Sequence, residues 1–293
     1  MKQNNRLFKT ADILYILMMI VPIIVAITIK VLTNPVSDGI DISGANIFFS
    51  IPMPVQNLLI TESEVNSFLV IVAIFGFCLF ITHGINSGTL TTRHHIAEFI
   101  VEKVQNIVNT NMGTYFSGYA PFVTAILALS AFSSLLSLFG LYPPTSDINI
   151  VGGWAILTFI LITYYKLKCG PLYYIKAMAD PVLLAPLNII GEIATPISMA
   201  FRHYGNIISG SVISVLVATG LQGLSSIVLG ALPGFLGELP LFRIGLPAIL
   251  SIYFDVFSGC LQAYIFAMLT MLYISNGFPL EEYMKRKSKK QKI

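Results

Sequence analysis

One arginine, Arg202, stands inside a long apolar run, with Ile189 and Ile190 before it and residues 212–218 after it. An ionised guanidinium at bilayer depth costs at least about 2.5–3.5 kcal/mol, and arginine does not avoid this cost by losing its proton. We therefore expect Arg202 to face protein or water and to have a partner, although an arginine near a helix end could instead extend to the membrane surface. Four polar residues in this run are separated by three, four and four positions, so a helix would place them on one stripe. They are Thr195, Ser198, Arg202 and Asn206.

A second polar stripe lies in the last apolar run. Asp255 and Gln262 are seven residues apart, which is two turns of an α-helix, and Ser251 and Ser258 fall on the same face. An intramembrane carboxylate marks an ion or proton path by default. The residues alone leave open a structural ion pair between Asp255 and Arg202, or a buried and protonated carboxyl.

The composition is that of a polytopic membrane protein. Of 293 residues, 55% are hydrophobic and 11% are charged, with a mean hydropathy of +0.80, whereas soluble domains carry about 25% charged residues. The net charge of +3 is small, so we expect no nucleic-acid partner. The three cysteines are far apart and His94-His95 point about 100° apart on a helix, so we expect no metal, redox centre or other cofactor: Cys78, Cys169 and Cys260.

Apolar runs predict an all-α integral membrane protein with about six spanning helices. The fifth run is far longer than one perpendicular crossing requires, so it must tilt, bend or break. Residues 91–112 carry apolar residues at helical spacing with charges between them, which predicts an amphipathic helix on the membrane surface. The predicted spans are residues 12–33, 64–83, 119–141, 150–167, 182–229 and 246–276.

The chain divides into an N-terminal anchor helix with an external loop, residues 1–61, and a membrane domain with a basic tail, residues 62–293. The first apolar run is too long for a signal peptide and no small-residue cleavage pattern follows it, which favours a retained anchor. If the N-terminus is cytoplasmic and the spans alternate, 14 of the 17 lysines and arginines are cytoplasmic, eight before residue 177 and six in residues 285–292. This asymmetry predicts that both termini are cytoplasmic.

Three stretches resemble subunit a of the bacterial F-type ATP synthase, and the similarity runs from about residue 62 to residue 276. An intramembrane Arg-x-x-Gly-Asn followed by Leu-Gln-Ala-x-Ile-Phe is far more specific than a lone short motif. The matching stretches are Pro186-Leu-Asn-Ile-Ile-Gly-Glu192 through Pro196-Ile-Ser198 and Arg202 to Gly205-Asn206, Asp255 through Leu261-Gln262-Ala-Tyr-Ile-Phe266 to Leu269-Thr270, and Pro144-Thr-Ser-Asp147-Ile-Asn149.

The resemblance implies a non-catalytic, multi-pass subunit of the bacterial cell membrane that passes H⁺ or Na⁺ through two offset half-channels. Its implied partners are the c-subunit ring, the b-subunit peripheral stalk, the remaining ATP synthase subunits and the lipid bilayer. The last two long helices would pack as a tilted hairpin against the ring.

The resemblance also implies a role for each matched residue. Arg202 is similar to the stator arginine that faces the ring, and Gln262 matches a polar residue beside it. Ser198 and Asn206 match positions near the cytoplasmic half-channel, and Asp255 matches a titratable position of the external half-channel. The resemblance further implies supporting roles for four residues: Glu192, Thr195, Gly205 and Ser258.

The sequence departs from the family pattern at several places. Ser211 stands where relatives often carry an ionisable residue, so the external path would rely on Asp255 and water. His203-Tyr204 replaces a more apolar pair, and we attach no function to it. Residues 12–33 add a span that some relatives lack.

Two other classes fit less well. A secondary transporter with an intramembrane Arg-Asp site would normally contain internal repeats, and we find no convincing repeat. An intramembrane enzyme would need clustered ligands or a nucleophile with a base, and no His-Glu-x-x-His motif occurs. The choice between H⁺ and Na⁺ stays open, because in the resembled family it depends largely on the ring subunit.

Overall fold

The computed structural model describes residues 2–33, 44–54, 56–85, 91–168, 170–179, 181–229, 241–281 and 283–284. This part of the chain is helical apart from one short hairpin, and short 3₁₀ turns join some of the helices. The elements are α1 (Lys2–Thr33), β1 (Ile47–Ile51), β2 (Leu58–Thr61), α2 (Glu62–Thr82), α3 (Thr92–Met112), α4 (Ala120–Leu135), α5 (Ile148–Lys168), α6 (Pro171–Ala179), α7 (Ala185–Leu229), α8 (Leu241–Ser251), a π-helical turn (Ile252–Ser258) and α9 (Gly259–Gly277).

Six helical stretches within the described ranges are long and apolar enough to cross a membrane, which confirms the predicted all-α architecture with six spans. Their limits lie within a few residues of the predicted ones, except that the third begins earlier, in the 3₁₀ turn before α4. They are Thr10–Leu32, Glu62–Thr82, Thr114–Phe139, Ile148–Lys168, Ala185–Leu229 and Gly245–Gly277.

The segment between the first two spans contains structure that the sequence did not indicate. β1 and β2 pair antiparallel, with Ile47 opposite Thr61 and Ile51 opposite Leu58. Pro52 and Pro54 interrupt this stretch and favour an irregular loop, but both lie between the strands and therefore remove no ladder hydrogen bond. The rest of the predicted loop (residues 34–43 and 55), most of the predicted turn at 231–245, the basic tail 285–292 and Cys169 lie outside the described residues.

Polar contacts tie α1 to the bundle at both ends. Asp12 accepts a hydrogen bond from Nη1 of Arg93 at 2.9 Å and lies 2.8 Å from Nδ1 of His83. At the other end of α1, the ammonium group of Lys30 donates to the backbone carbonyl of Gly140. The end of α1 with Lys30 therefore lies beside the end of α4, and its other end lies beside the end of α2 and the start of α3.

The amphipathic α3 packs on the bundle through its second half. Val104, Val108 and Met112 enter a buried cluster that also includes residues of α4, α5 and α9. Ile96 and Phe99, in the first half, are exposed. The two halves therefore have different surroundings, and the predicted position of α3 on the membrane surface stays a prediction.

α7 is a single helix of 45 residues that runs through Pro196 without a break. At about 1.5 Å per residue, it is about 68 Å long, more than twice the roughly 30 Å hydrocarbon thickness of a bilayer. The long fifth run is therefore not broken, and a crossing by its whole length would need a tilt away from the membrane normal.

Candidate functional site

Arg202 lies well inside α7, and its side chain is exposed on the outward face of the helix. Its neighbours Ile197 and Phe201 are 51% and 60% exposed, so the charge stands on an otherwise apolar surface. Across the described ranges, no hydrogen bond or ion pair joins Arg202 to another residue. The position excludes an arginine near a helix end, and the expected partner is not among the described residues of this chain.

The polar stripe of α7 divides between two directions. Ser198 is exposed on the same side as Arg202, and Thr195 donates to the backbone carbonyl of Gly191 in its own helix at 2.9 Å. Asn206 instead points to the last helix, where its Nδ2 donates to Oγ of Ser258 at 2.7 Å. Asn206 and Ser258 therefore link the two long helical segments close to Arg202.

Asp255 is half-buried within the π-helical turn and accepts a hydrogen bond from the hydroxyl of Ser251. A π turn contains more residues than an α turn, so seven residues from Asp255 to Gln262 do not correspond to two whole turns, and the prediction of one common α-helical face is wrong. Gln262 is buried, at 5% exposure. No ion pair with Arg202 involves Asp255 in the described part of the chain, which argues against the structural-pair interpretation.

Two glycines let the segments around Asp255 approach closely. A Cβ atom on Gly210 of α7 would lie 2.9 Å from Cδ1 of Phe254, next to Asp255. A Cβ on Gly259 would lie 2.8 Å from Cβ of Ser134 on α4. Since real side chains do not approach this closely, α7, the π turn and α4 meet here at distances that only glycine permits.

A polar cleft of about 770 Å³ lies where the C-terminal ends of α5 and α9 meet the first part of α7. Glu192 forms an ion pair with Lys166 of α5 and accepts a hydrogen bond from the hydroxyl of Tyr174 at 3.1 Å. Burial, and then the negative charge of Glu192, raise the pKa of Tyr174 to about 12. The lining includes both Glu192 and Thr195, so the structure brings these two predicted residues into one cavity. Lys166 and Tyr174 were missed as site residues, because their partner is far away in sequence.

The family model described as ATP synthase A chain matches residues 65–275. The chain belongs to this family. The resemblance that the Arg202 and Gln262 motifs indicated is thereby confirmed.

The ATP synthase subunit a of Desulforamulus reducens is 31% identical over 184 residues, which are 61% of this chain and 63% of the relative. The ATP synthase subunit a of Listeria welshimeri is 30% identical over 201 residues, 64% of this chain and 79% of the relative. The subunit of Propionigenium modestum, named ATP synthase subunit a, sodium ion specific, is 32% identical over 168 residues, 55% of this chain and 51% of the relative. The chain therefore spans less than two thirds of the length of some curated relatives that it matches.

Ser211 and His203, at which this chain departs from the pattern of the subunit a family, have different surroundings, because Ser211 is exposed and His203 is buried. Ser211 is exposed, and its hydroxyl donates to the carbonyl of Ile208 in its own helix at 2.9 Å. Among the described residues, no hydrogen bond joins Ser211 to Asp255. Gly205, a predicted supporting residue, is half-buried with open space where a Cβ would lie. His203 is fully buried, with its Nε2 3.3 Å from Oγ of Ser130. The only signal for His203 in the sequence was an imidazole in an apolar run next to Arg202.

Proposed function

We propose that this chain is the ion-translocating stator subunit of an F-type ATP synthase in a bacterial cell membrane, and that it has no catalytic site of its own. The observation that carries the proposal is the exposed guanidinium of Arg202 on an apolar helix face, without a partner in the described part of the chain. A charge in that position needs an anion from another molecule. The carboxylates of a rotating c-subunit ring, passing along α7, are such anions.

Arg202 has two tasks in this mechanism. Its positive charge attracts each ionised ring carboxylate and favours release of the bound ion, because a nearby cation stabilises the carboxylate. A guanidinium does not titrate in this range, so it holds this charge without carrying the proton itself. It thereby blocks direct leakage between the two access paths. Gln262, a buried polar group of α9, is the residue that the family pattern puts beside it.

The two access paths lie at different parts of the last helices. The cleft with Glu192 and Thr195 opens toward the cytoplasm in the proposed orientation, and Ser198 and Asn206 continue from it along α7. Asp255 belongs to the external path, where its carboxylate exchanges the ion with water. The remaining partners are the b-subunit stalk, the other ATP synthase subunits and lipid, and the coupling ion is H⁺ or Na⁺.

The assembly test is a mild-detergent pulldown of the tagged chain from its own membranes. Recovery of a c ring, a b subunit and the soluble ATPase subunits in fixed proportion is the expected result. The competing secondary transporter would be recovered without those subunits. The same pulldown from Arg202→Ala membranes serves as a control, because the exposed Arg202 side chain holds no described part of the chain together and its loss should leave assembly intact.

The proposed orientation gives a second prediction. In a chain whose native cysteines are replaced by serine, Ser288→Cys should react with a membrane-impermeant thiol reagent only from the cytoplasmic side, and Ser37→Cys only from outside. Basic residues stay on the cytoplasmic side of bacterial membranes, and the two positions flank opposite ends of the six-span arrangement. The cysteine-free parent is the control, and the reverse labelling at either position would contradict the layout.

A further inference from the structure

The π turn Ile252–Ser258 is fastened to α7 by two side-chain contacts. Nδ2 of Asn206 donates to Oγ of Ser258 at 2.7 Å. The side chain of Phe254 packs so closely on Gly210 that Cβ and Cγ of Phe254 lie 3.1 Å from where a Cβ on Gly210 would stand. The two partners on α7 are four residues apart, and so are the two partners in the turn, in the opposite order. The contacts are therefore successive steps of one antiparallel helix pair, and together they form a clamp between α7 and the turn.

The C-terminal end of the turn also packs on a second helix. The backbone N–H of Gly259 donates to the carbonyl of Phe254, five residues earlier, which is the kind of bond that makes this turn π-helical. A Cβ on the same glycine would lie 2.8 Å from Cβ of Ser134 on α4. The turn is thus held between α7 and α4, with glycine at both points of closest approach.

Asp255 lies inside this fastened turn, and its carboxylate has a hydrogen-bond donor on the same helical segment. The hydroxyl of Ser251, four residues earlier, donates to Oδ2 of Asp255, and both side chains are half-buried. A serine within a helix commonly donates to a carbonyl of the preceding turn, as three serines of α7 do: Ser209, Ser211 and Ser226. Ser251 instead donates forward to the carboxylate, so its hydroxyl is engaged by Asp255.

We propose that Ser251 is a positioning residue for Asp255, and that the clamp at Asn206 and Gly210 fixes where the π turn presents this carboxylate. The inference rests on the proposed function, in which Asp255 exchanges the ion with water on the external path. A group that passes an ion must stand in a defined place, because a displacement of about 1 Å can cost a large factor in rate. The clamp holds the backbone of the turn, and the Ser251 hydroxyl holds the side chain.

This assignment gives Asn206 a task beside Asp255. The family pattern associates Asn206 with the cytoplasmic half-channel, but its amide is engaged with Ser258, three residues after Asp255. Asn206 is also one turn after Arg202 on α7. The clamp therefore ties the turn of α7 next to Arg202 to the turn that carries Asp255, so the two charged side chains belong to segments that keep one fixed relation.

The role of the Ser251 hydroxyl is tested by two variants of the same shape. Threonine and valine are both β-branched and differ in that threonine carries a hydroxyl. Ser251→Thr should therefore retain most of the ion-driven ATP synthesis, whereas Ser251→Val should lower it by about threefold or more. Ser251→Ala should fall with the valine variant. Synthesis is measured in inverted vesicles under an imposed ion gradient, normalised to the amount of c ring recovered.

The clamp is tested by a matched pair of glycine substitutions on α7. Gly210→Ala forces a Cβ against Phe254, whereas Gly223→Ala places its Cβ in open space. Alanine favours a helix over glycine at either position, so a loss confined to Gly210→Ala reports the contact with the turn. We expect Gly210→Ala to lower synthesis by about threefold or more and Gly223→Ala to match wild type. Adding Phe254→Ala to Gly210→Ala removes the atoms in the way and should restore part of the loss.

The outcomes separate this proposal from the proposed function. Equal synthesis by Ser251→Thr and Ser251→Val, whether high or low, would overturn the positioning role, because a packing role would treat the two alike. If the Ser251 variants do not assemble with a c ring, equal synthesis by Gly210→Ala and Gly223→Ala overturns it. Failure of the positioning role alone would leave Arg202→Ala inactive, whereas failure of the proposed function would leave Arg202→Ala active.

Discussion

Membranes that contain Arg202→Ala are expected to make no ATP from an ion gradient. The substitution removes the exposed guanidinium that stabilises the ionised ring carboxylate, so nothing at the stator would favour release of the bound ion from the ring. ATP hydrolysis by the soluble sector should persist, because that chemistry lies on other subunits, and passive ion leak should rise. The measurement is ATP synthesis by inverted vesicles under an imposed ion gradient, normalised to the amount of c ring recovered.

Arg202→Lys is the informative partner of that variant. Lysine retains a charge but replaces the planar fork with a compact ammonium that can lose its proton in an apolar environment. We expect it to restore only a small part of the synthesis rate. Near wild-type synthesis by the alanine variant would contradict the assignment of Arg202, whatever the lysine variant does.

Asp255→Asn should strongly slow ion-driven ATP synthesis, by about tenfold or more if the carboxylate relays protons. Asparagine keeps the size of the side chain and a hydrogen-bonding partner for Ser251 but does not titrate. Asp255→Glu and Asp255→His should each retain part of the activity in a proton-coupled enzyme, because either side chain exchanges a proton. If the coupling ion is Na⁺, the carboxylate acts as an oxygen ligand and His should restore much less than Glu.

Synthesis is measured in vesicles with matched assembly levels. Thr219→Ala provides a control on α7, since its exposed hydroxyl donates only within its own helix, to Val215 at 2.9 Å. Full synthesis by Asp255→Asn would show that the carboxylate is structural. The external path would then have to run elsewhere, along Ser211 and its neighbours.

Hydropathy and residue spacing were sufficient to predict the helices and to predict that Arg202 lies within one of them. Six apolar runs predicted six spans, because a spanning helix must be apolar over about 20 residues whatever it packs against. The outward position of Arg202 and the link from Asn206 to Ser258 involve residues that helical spacing had already placed on the two stripes. The two stripes depend on local sequence, which was all that their prediction needed. The direction of Arg202 and the contact of Asn206 with Ser258 depend on how α7 packs against the last helical segment.

Other features depend on contacts that the sequence does not encode locally. Lys166 and Glu192 are 26 positions apart and meet only because α5 packs on α7. His203 looked like one departure among several until Ser130, 73 positions away, supplied a partner. The π turn depends on a shift of backbone hydrogen bonds from i+4 to i+5, which changes neither composition nor hydropathy.

Because of the π turn, residues that align in sequence between this chain and a relative need not point in the same direction. Removing one residue from Ile252–Ser258 would let the segment return to regular α-helix, and each residue of an α-helix turns the chain by about 100°. The extra residue of the π turn would be lost, so the residues on either side of the deletion would keep nearly the same directions about the axis relative to Gln262. A relative with a gap of one residue here could thus carry its carboxylate at a different number and still present it in the same direction. A relative with identical spacing but no π turn would present it in another.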